Sequence, residues 1–202
     1  LYTDEKSKLE SQLKEAYGKV TYSYTTHLKQ TSDIDKQQKN LKNGQIVLSA
    51  VSTSGILTTI LLDQIWLKII SGVLSLISLG IKLYYQEYNL TNESNLHRIA
   101  SDKLWFIREE YVSLLTDMKD MDLQTIRLKR DELQWQTYTV YMEAPKTNAK
   151  SYKKAQKALQ SEEEQFFTSE EIDQLLPEHL RSTSNDGERK SITKSDKNDK
   201  IE

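Results

Sequence analysis

Five polar side chains recur along one strip of an otherwise apolar stretch: Lys68, Ser71, Ser75, Ser78 and Lys82. Their spacing of three, four, three and four keeps them on a single helix face, while Ile69, Ile70, Val73, Leu74, Leu76, Ile77 and Ile81 fill the remainder. Hydroxyls and ammonium groups arranged in this way suit two kinds of work. They can line an aqueous path once several helices surround it, with the lysines favouring anions. Alternatively, Ser71 and Ser75 form a small-xxx-small contact that lets two helices approach closely, and the lysines simply end the segment. The preceding apolar stretch carries a counterpart in Ser49, Ser52, Thr53 and Thr59, which share roughly one face, with Gly55 close by. A single copy favours the packing role and an assembled ring favours the pore. A two-helix hairpin is too small to enclose a channel, whereas closed symmetry places equivalent strips around one axis.

Residues for covalent or metal chemistry are sparse. His27, His97 and His179 are scattered, with no second ligand at metal spacing, and the chain has no cysteine to supply a thiolate or a disulfide. There is no glycine-rich phosphate loop and no Gly-x-Ser-x-Gly elbow. Glu162 to Glu164 and Glu170-Glu171 read as a solvated helix face. The sequence therefore predicts a protein that is not an enzyme and uses no cofactor or metal. A formal net charge of −2 over 202 residues gives no electrostatic case for direct nucleic-acid binding.

The elements that must carry the polar strips are two long apolar segments. From Asn43 to Leu62 there are 20 residues without a charge, about 30 Å as a helix, which matches the hydrocarbon core of a bilayer. After Asp63-Gln64, residues Ile65 to Tyr85 form a second segment of 21, interrupted only by Lys68 and Lys82, whose stems can carry the ammonium to the headgroups. Neither segment has the charged outer face of a helix on a soluble domain. The pair reads as a transmembrane hairpin with spans at 44–62 and 65–85, and Trp66, Tyr84 and Tyr85 stand where interfacial aromatics belong. Lys36, Lys39 and Lys42 before the first span and Lys82 after the second outweigh Lys68 at the turn, so both termini are expected in the cytoplasm. The stretch from Asp4-Glu5-Lys6 is too charged for a signal peptide, so insertion is expected to rely on the hairpin itself.

Outside the hairpin the chain is hydrophilic, with 29% charged residues and a mean hydropathy of −0.68. It has two prolines, six glycines and no strand-like alternation, which predicts an almost wholly helical protein. Leu13, Tyr17, Val20, Tyr24, His27, Thr31, Ile34, Gln38 and Leu41 form one face of a long helix over 1–43 that runs without a break into the first span. His27, Thr31 and Gln38 lie on its seam, where polar residues either fix register, as in a coiled coil, or merely loosen packing. The spacing resumes at His97, Ala100, Leu104, Ile107, Tyr111, Leu114 and Met118, so the two arms can lie antiparallel and bury these stripes on each other. A third helix is predicted from about Asp122 to Met142, carrying Ile126, Leu133 and Tyr138 with Trp135 beside them. Ala144-Pro145 ends it. Thr147 is expected to cap a short basic helix through Tyr152, Ala155, Ala158 and Leu159. Thr168 to Glu171 is a capping box before Ile172 to Leu176. The cytoplasmic helical region then covers 86–181, and 182–202, rich in Ser, Asn, Asp and Lys, reads as a disordered polar tail. The sequons Asn89-Leu90-Thr91 and Asn92-Glu93-Ser94 fall on the cytoplasmic side, where they would not be glycosylated.

This layout resembles the SLATT family of two-transmembrane effectors associated with bacterial conflict systems. The likeness is carried by the two spans joined at Asp63-Gln64, Leu104-Trp105-Phe106-Ile107-Arg108-Glu109-Glu110-Tyr111, Leu114-Leu115-Thr116-Asp117, Tyr141-Met142-Glu143-Ala144-Pro145 and Phe167-Thr168-Ser169-Glu170-Glu171-Ile172-Asp173, and covers about residues 14 to 181. It implies an antiphage membrane effector, kept quiet until a partner signals infection and then permeabilising the bacterial inner membrane to give abortive infection. It also implies a cyclic-nucleotide synthase or a reverse transcriptase as partner, and no catalytic residues. The expected fold is all-α: a two-transmembrane helical hairpin whose long helices continue into a cytoplasmic helical bundle, assembled as a homo-oligomer in the lipid bilayer. The alternative function is a non-conducting membrane-anchored adaptor that docks a partner enzyme.

Overall fold

The computed structural model describes residues 2–62, 65–87, 89–162, 164 and 166–181, with side chains for the same residues except 2, 3, 53–62, 67, 85–87 and 178. The expected turn at Asp63-Gln64, the side chains of Thr53 and Thr59, and the tail 182–202 lie outside the described residues. Among those residues there are six α-helices and no strand: α1 Tyr2–Leu62, α2 Ile65–Glu87, α3 Leu90–Asp117, α4 Leu123–Glu143, α5 Ala149–Gln160 and α6 Ser169–Leu175. The chain divides into two compact units, residues 1–157 and 158–202.

α1 is one helix of 61 residues, about 90 Å long at 1.5 Å per residue. Its predicted continuity from the charged arm into the apolar stretch is what the structure contains. Asp4 and Glu5 sit in its first turn, where the helix dipole favours acids. Ion pairs Asp4–Lys8, Glu10–Lys14 and Glu15–Lys19 line its outer face at i, i+4, where solvent screens them and leaves each a minor contribution. Its inner face packs along α2 at the distal end and along α3 and α4 nearer its start.

Leu9, Leu13 and Val20 of α1, Ala100, Leu104, Ile107, Tyr111 and Leu114 of α3, Met118, and Ile126, Leu133 and Val140 of α4 form one buried core. Leu13, Leu104 and Ile126 are wholly excluded from solvent, and burial of side chains this size is worth about 1.5–3 kcal/mol each. Ion pairs Arg127–Glu5 and Lys103–Glu143, at 2.9 and 2.7 Å, fix the levels of the three helices relative to one another. Of the apolar residues named on α4, Ile126 and Leu133 are buried and Tyr138 and Trp135 are not. Ile126, Leu133 and Val140 are seven apart and return to one face every two turns. Tyr138, five residues past Leu133, falls well off that face, and both it and Trp135 are exposed.

Helix ends follow local chemistry. Asn89 caps α3 by accepting from the Asn92 N–H, and Asp122 caps α4 by accepting from Gln124 and Thr125. The start of α5 is capped by Asn148, whose carboxamide oxygen accepts from the Ser151 N–H at 2.9 Å. Thr147, the expected cap, lies one residue too early for a helix that begins at Ala149. In the second unit Thr168 and Glu171 form the predicted capping box of α6, and the Arg181 guanidinium donates to the Leu176 and Gln174 carbonyls.

Among the described residues no helix is long and apolar enough to cross a membrane. The reading of 44–62 and 65–85 as membrane spans is therefore not met by the described helices. The apolar run of α1 continues through residues 53–62 and that of α2 includes Leu67, positions whose side chains are outside the description.

Candidate functional site

The polar strip of α2 divides in two once α2 lies on α1. Gln37 Nε2 donates to the Tyr84 hydroxyl at 3.3 Å, so the C-terminal end of α2 lies beside the middle of α1 and the two run antiparallel. Ser71 is buried and Leu74, Ser78 and Ile81 are half-buried, which makes this the face of α2 turned to α1. Lys68, Ser75 and Lys82, seven apart, lie together on an exposed line. The Ser75 hydroxyl donates to the Ser71 carbonyl at 2.9 Å, satisfying itself within the helix. On α1, Leu41, Gly44, Gln45, Leu48 and Ser52 are half-buried, and Ser49 is exposed. Ser52 Oγ is buried without a hydrogen-bond partner among the described residues.

Between the hairpin and the apolar core lies a polar layer that sequence reasoning did not assemble. His27 of α1 and His97 of α3, 70 residues apart and both buried, approach with Nδ1 to Nδ1 at 2.8 Å. One ring must donate its N–H and the other accept, so one proton fits between them and a second would set two N–H groups against each other. Burial, followed by the charge of His97, pulls the His27 imidazole down from 6.5 to about 4. Burial lowers His97 as well, opposed by Glu93. His97 Nε2 has no partner among the described residues.

The layer extends towards the hairpin through matched pairs. The Ser94 hydroxyl donates to Asp35 and Gln38 donates to the Thr91 hydroxyl at 2.5 Å; on the other side of the histidines, towards the core, the Ser101 hydroxyl reaches the Tyr24 carbonyl at 3.4 Å. From α5, the Ser151 hydroxyl donates to buried Gln30 at 2.6 Å, and Lys154 pairs with Asp33. Thr21, Thr25, Thr26 and Thr31 are buried because each hydroxyl donates to the carbonyl four residues earlier. The sequon residues thus serve as cap and seam: Asn89 caps α3, and Thr91 and Ser94 bind α1. A cleft of about 440 Å³ opens beside His27, walled by Tyr22, Thr26, Tyr141, Lys146 and Tyr152. Its Tyr22 and Tyr152 rings stack at 5.9 Å.

The sequence reading missed the histidine pair because it sought metal spacing along the chain. The signal was there: His27 and His97 each occupy a core position in the stripes of α1 and α3. Among the described residues, no three His, Cys, Asp or Glu side chains are grouped to hold a metal ion.

A long helix carried from a helical bundle into an antiparallel hairpin, with a buried polar layer between them, defines an all-α protein. The chain belongs to the SMODS and SLOG-associating 2TM effector domain family 4, whose family model matches residues 9–171. The family is one of two-transmembrane effectors of antiphage defence systems and is not known as enzymatic. No curated protein and no solved structure matches the chain.

Proposed function

We propose that this protein is a membrane effector that oligomerises in the bacterial inner membrane, permeabilises it and causes abortive infection, with its termini in the cytoplasm. The observation that carries the reading is the continuity of α1. One helix bears the polar layer at His27 to Gln38 and the apolar stretch after Asn43, so a rearrangement in the bundle rotates or shifts the hairpin as a rigid rod. Copies gathered around one axis turn the exposed line Lys68, Ser75 and Lys82 inward, while Ser71 and Ser78 hold α2 to α1. The lumen is then positive and favours anions. A trigger favours opening only by binding the open arrangement better than the closed one. A nearby cyclic-nucleotide synthase or reverse transcriptase, the partners implied by the family resemblance, is the proposed source of that trigger.

Purified protein in dye-loaded vesicles, with expression in cells carrying a potential-sensitive dye, tests this directly. Leakage and depolarisation are expected, and Lys68→Leu with Ser75→Leu should cut the leak rate at least tenfold while membrane insertion is kept. Undiminished leakage from the double variant removes the proposed lining. No leakage from the parent protein with its partner present favours the non-conducting adaptor instead.

A further inference from the structure

An apolar stripe runs along the outer face of α4. Leu128, Trp135, Tyr138 and Met142 are 62%, 68%, 50% and 68% exposed, and with Asp131 their spacing is three, four, three, four. They lie opposite Ile126, Leu133 and Val140, so α4 is apolar on both sides. The four side chains present roughly 500–600 Å² of surface, most of the ~800 Å² per partner of a standard interface. Lipid cannot cover them. Arg127 pairs with Glu5 at one end of α4, and Tyr141 bonds Ser23 at 2.8 Å at the other. The membrane-proximal end of α4 is thus level with Ser23, twenty residues, or about 30 Å of helix, short of Asn43 where the uncharged stretch begins.

We propose that this stripe is the contact between neighbouring copies of the chain, and that it seats on Val112 and Trp105 of the next copy in a head-to-tail ring. Val112 and Trp105 are 41% and 45% exposed and, like Trp135 and Met142, are seven residues apart. Their levels match. From the Lys103–Glu143 pair, nine residues along each helix reach Val112 and Gln134, and two reach Trp105 and Tyr141. Each seat therefore lies within one residue, about 1.5 Å, of the level of Trp135 or Met142. A ring closes only when neighbours are related with no shift along its axis, so equal levels are what closure requires. The seat is also on a different side of the bundle. At 100° per residue Val112 and Trp105 stand about 160–180° around α3 from Lys103, which faces α4, and next to Ser101 and Arg108, which face Tyr24 of α1. A two-fold contact of the stripe with itself is disfavoured. With parallel helices it sets Asp131 against its own copy, and with antiparallel helices it sends the two hairpins in opposite directions.

The inference rests on the proposal that several copies share one membrane, and the test separates the two. The chain has no cysteine, so single cysteines can be introduced cleanly into the full-length protein in vesicles. Trp135→Cys mixed with Val112→Cys should give a disulfide-linked dimer under mild oxidation, each variant alone should give none, and the double variant should give a ladder. Met142→Cys with Trp105→Cys repeats the test should Trp135→Cys misfold by circular dichroism. Self-linking of Trp135→Cys alone, or no linking in either mixture of folded variants, overturns the head-to-tail contact. A ladder from a protein that leaks no dye upholds the contact and removes the pore.

Discussion

Lowering the pH from 7.5 to 4.5 should loosen the bundle through His27. Its imidazole is down from 6.5 to about 4 in the folded chain because it is buried against His97. The folded state therefore holds fewer protons than the unfolded one between these values. The stability due to a neutral His27 is complete above 6.5, falls as pH falls through the window, and is gone below about 4. At pH 4.5 the loss is roughly 2–3 kcal/mol, from 1.36 kcal/mol per pKa unit less the part of the window not yet crossed. For a chain of this size that is about 5–10 °C in melting temperature. His97, also lowered, adds in the same direction. The charged group that acts on the pair is Glu93 on α3, which opposes the lowering of His97. Carboxylates titrate near the bottom of this range too, so the informative quantity is a difference. His27→Gln, whose carboxamide can still donate to His97, should remove about 2 kcal/mol of the acid-induced loss in thermal melts at pH 7.5, 6 and 4.5. Parallel melting curves for variant and parent across that range would refute the reasoning.

Further outcomes follow from packing and capping. Leu104→Ala, at a wholly buried core position, should cost about 2–5 kcal/mol in denaturant unfolding. Ser71→Leu forces volume into the contact with α1 and should destabilise the hairpin by about 1–3 kcal/mol, whereas Ser75→Leu on the exposed line should be tolerated; limited proteolysis of the two variants in detergent compares them. Asp122→Ala removes the acceptor for two backbone N–H groups at the start of α4 and should lower the melting temperature in the same melts, whereas Asp122→Asn, which keeps an acceptor oxygen, should largely preserve it.

Helical periodicity alone settled much of this protein. The stripes from Leu13 to Leu41 and from His97 to Met118 are the faces that meet, because residues three and four apart share a face whatever the helix packs against. Capping chemistry is equally local, and the Thr168 to Glu171 box needed no tertiary information, although Asn148 displaced Thr147 where two acceptors stood side by side. Tertiary structure decided what depends on which face turns to which neighbour. It brought His27 to His97 across 70 residues, since each histidine looks solitary until two antiparallel helices set their levels. It divided the serine and lysine strip of α2, because the direction of α1 makes Ser71 interior and leaves Lys68, Ser75 and Lys82 outside. It also turned Trp135 and Tyr138 outward: α4 has apolar residues on two faces, and only the positions of α1 and α3 choose Ile126, Leu133 and Val140 for the core.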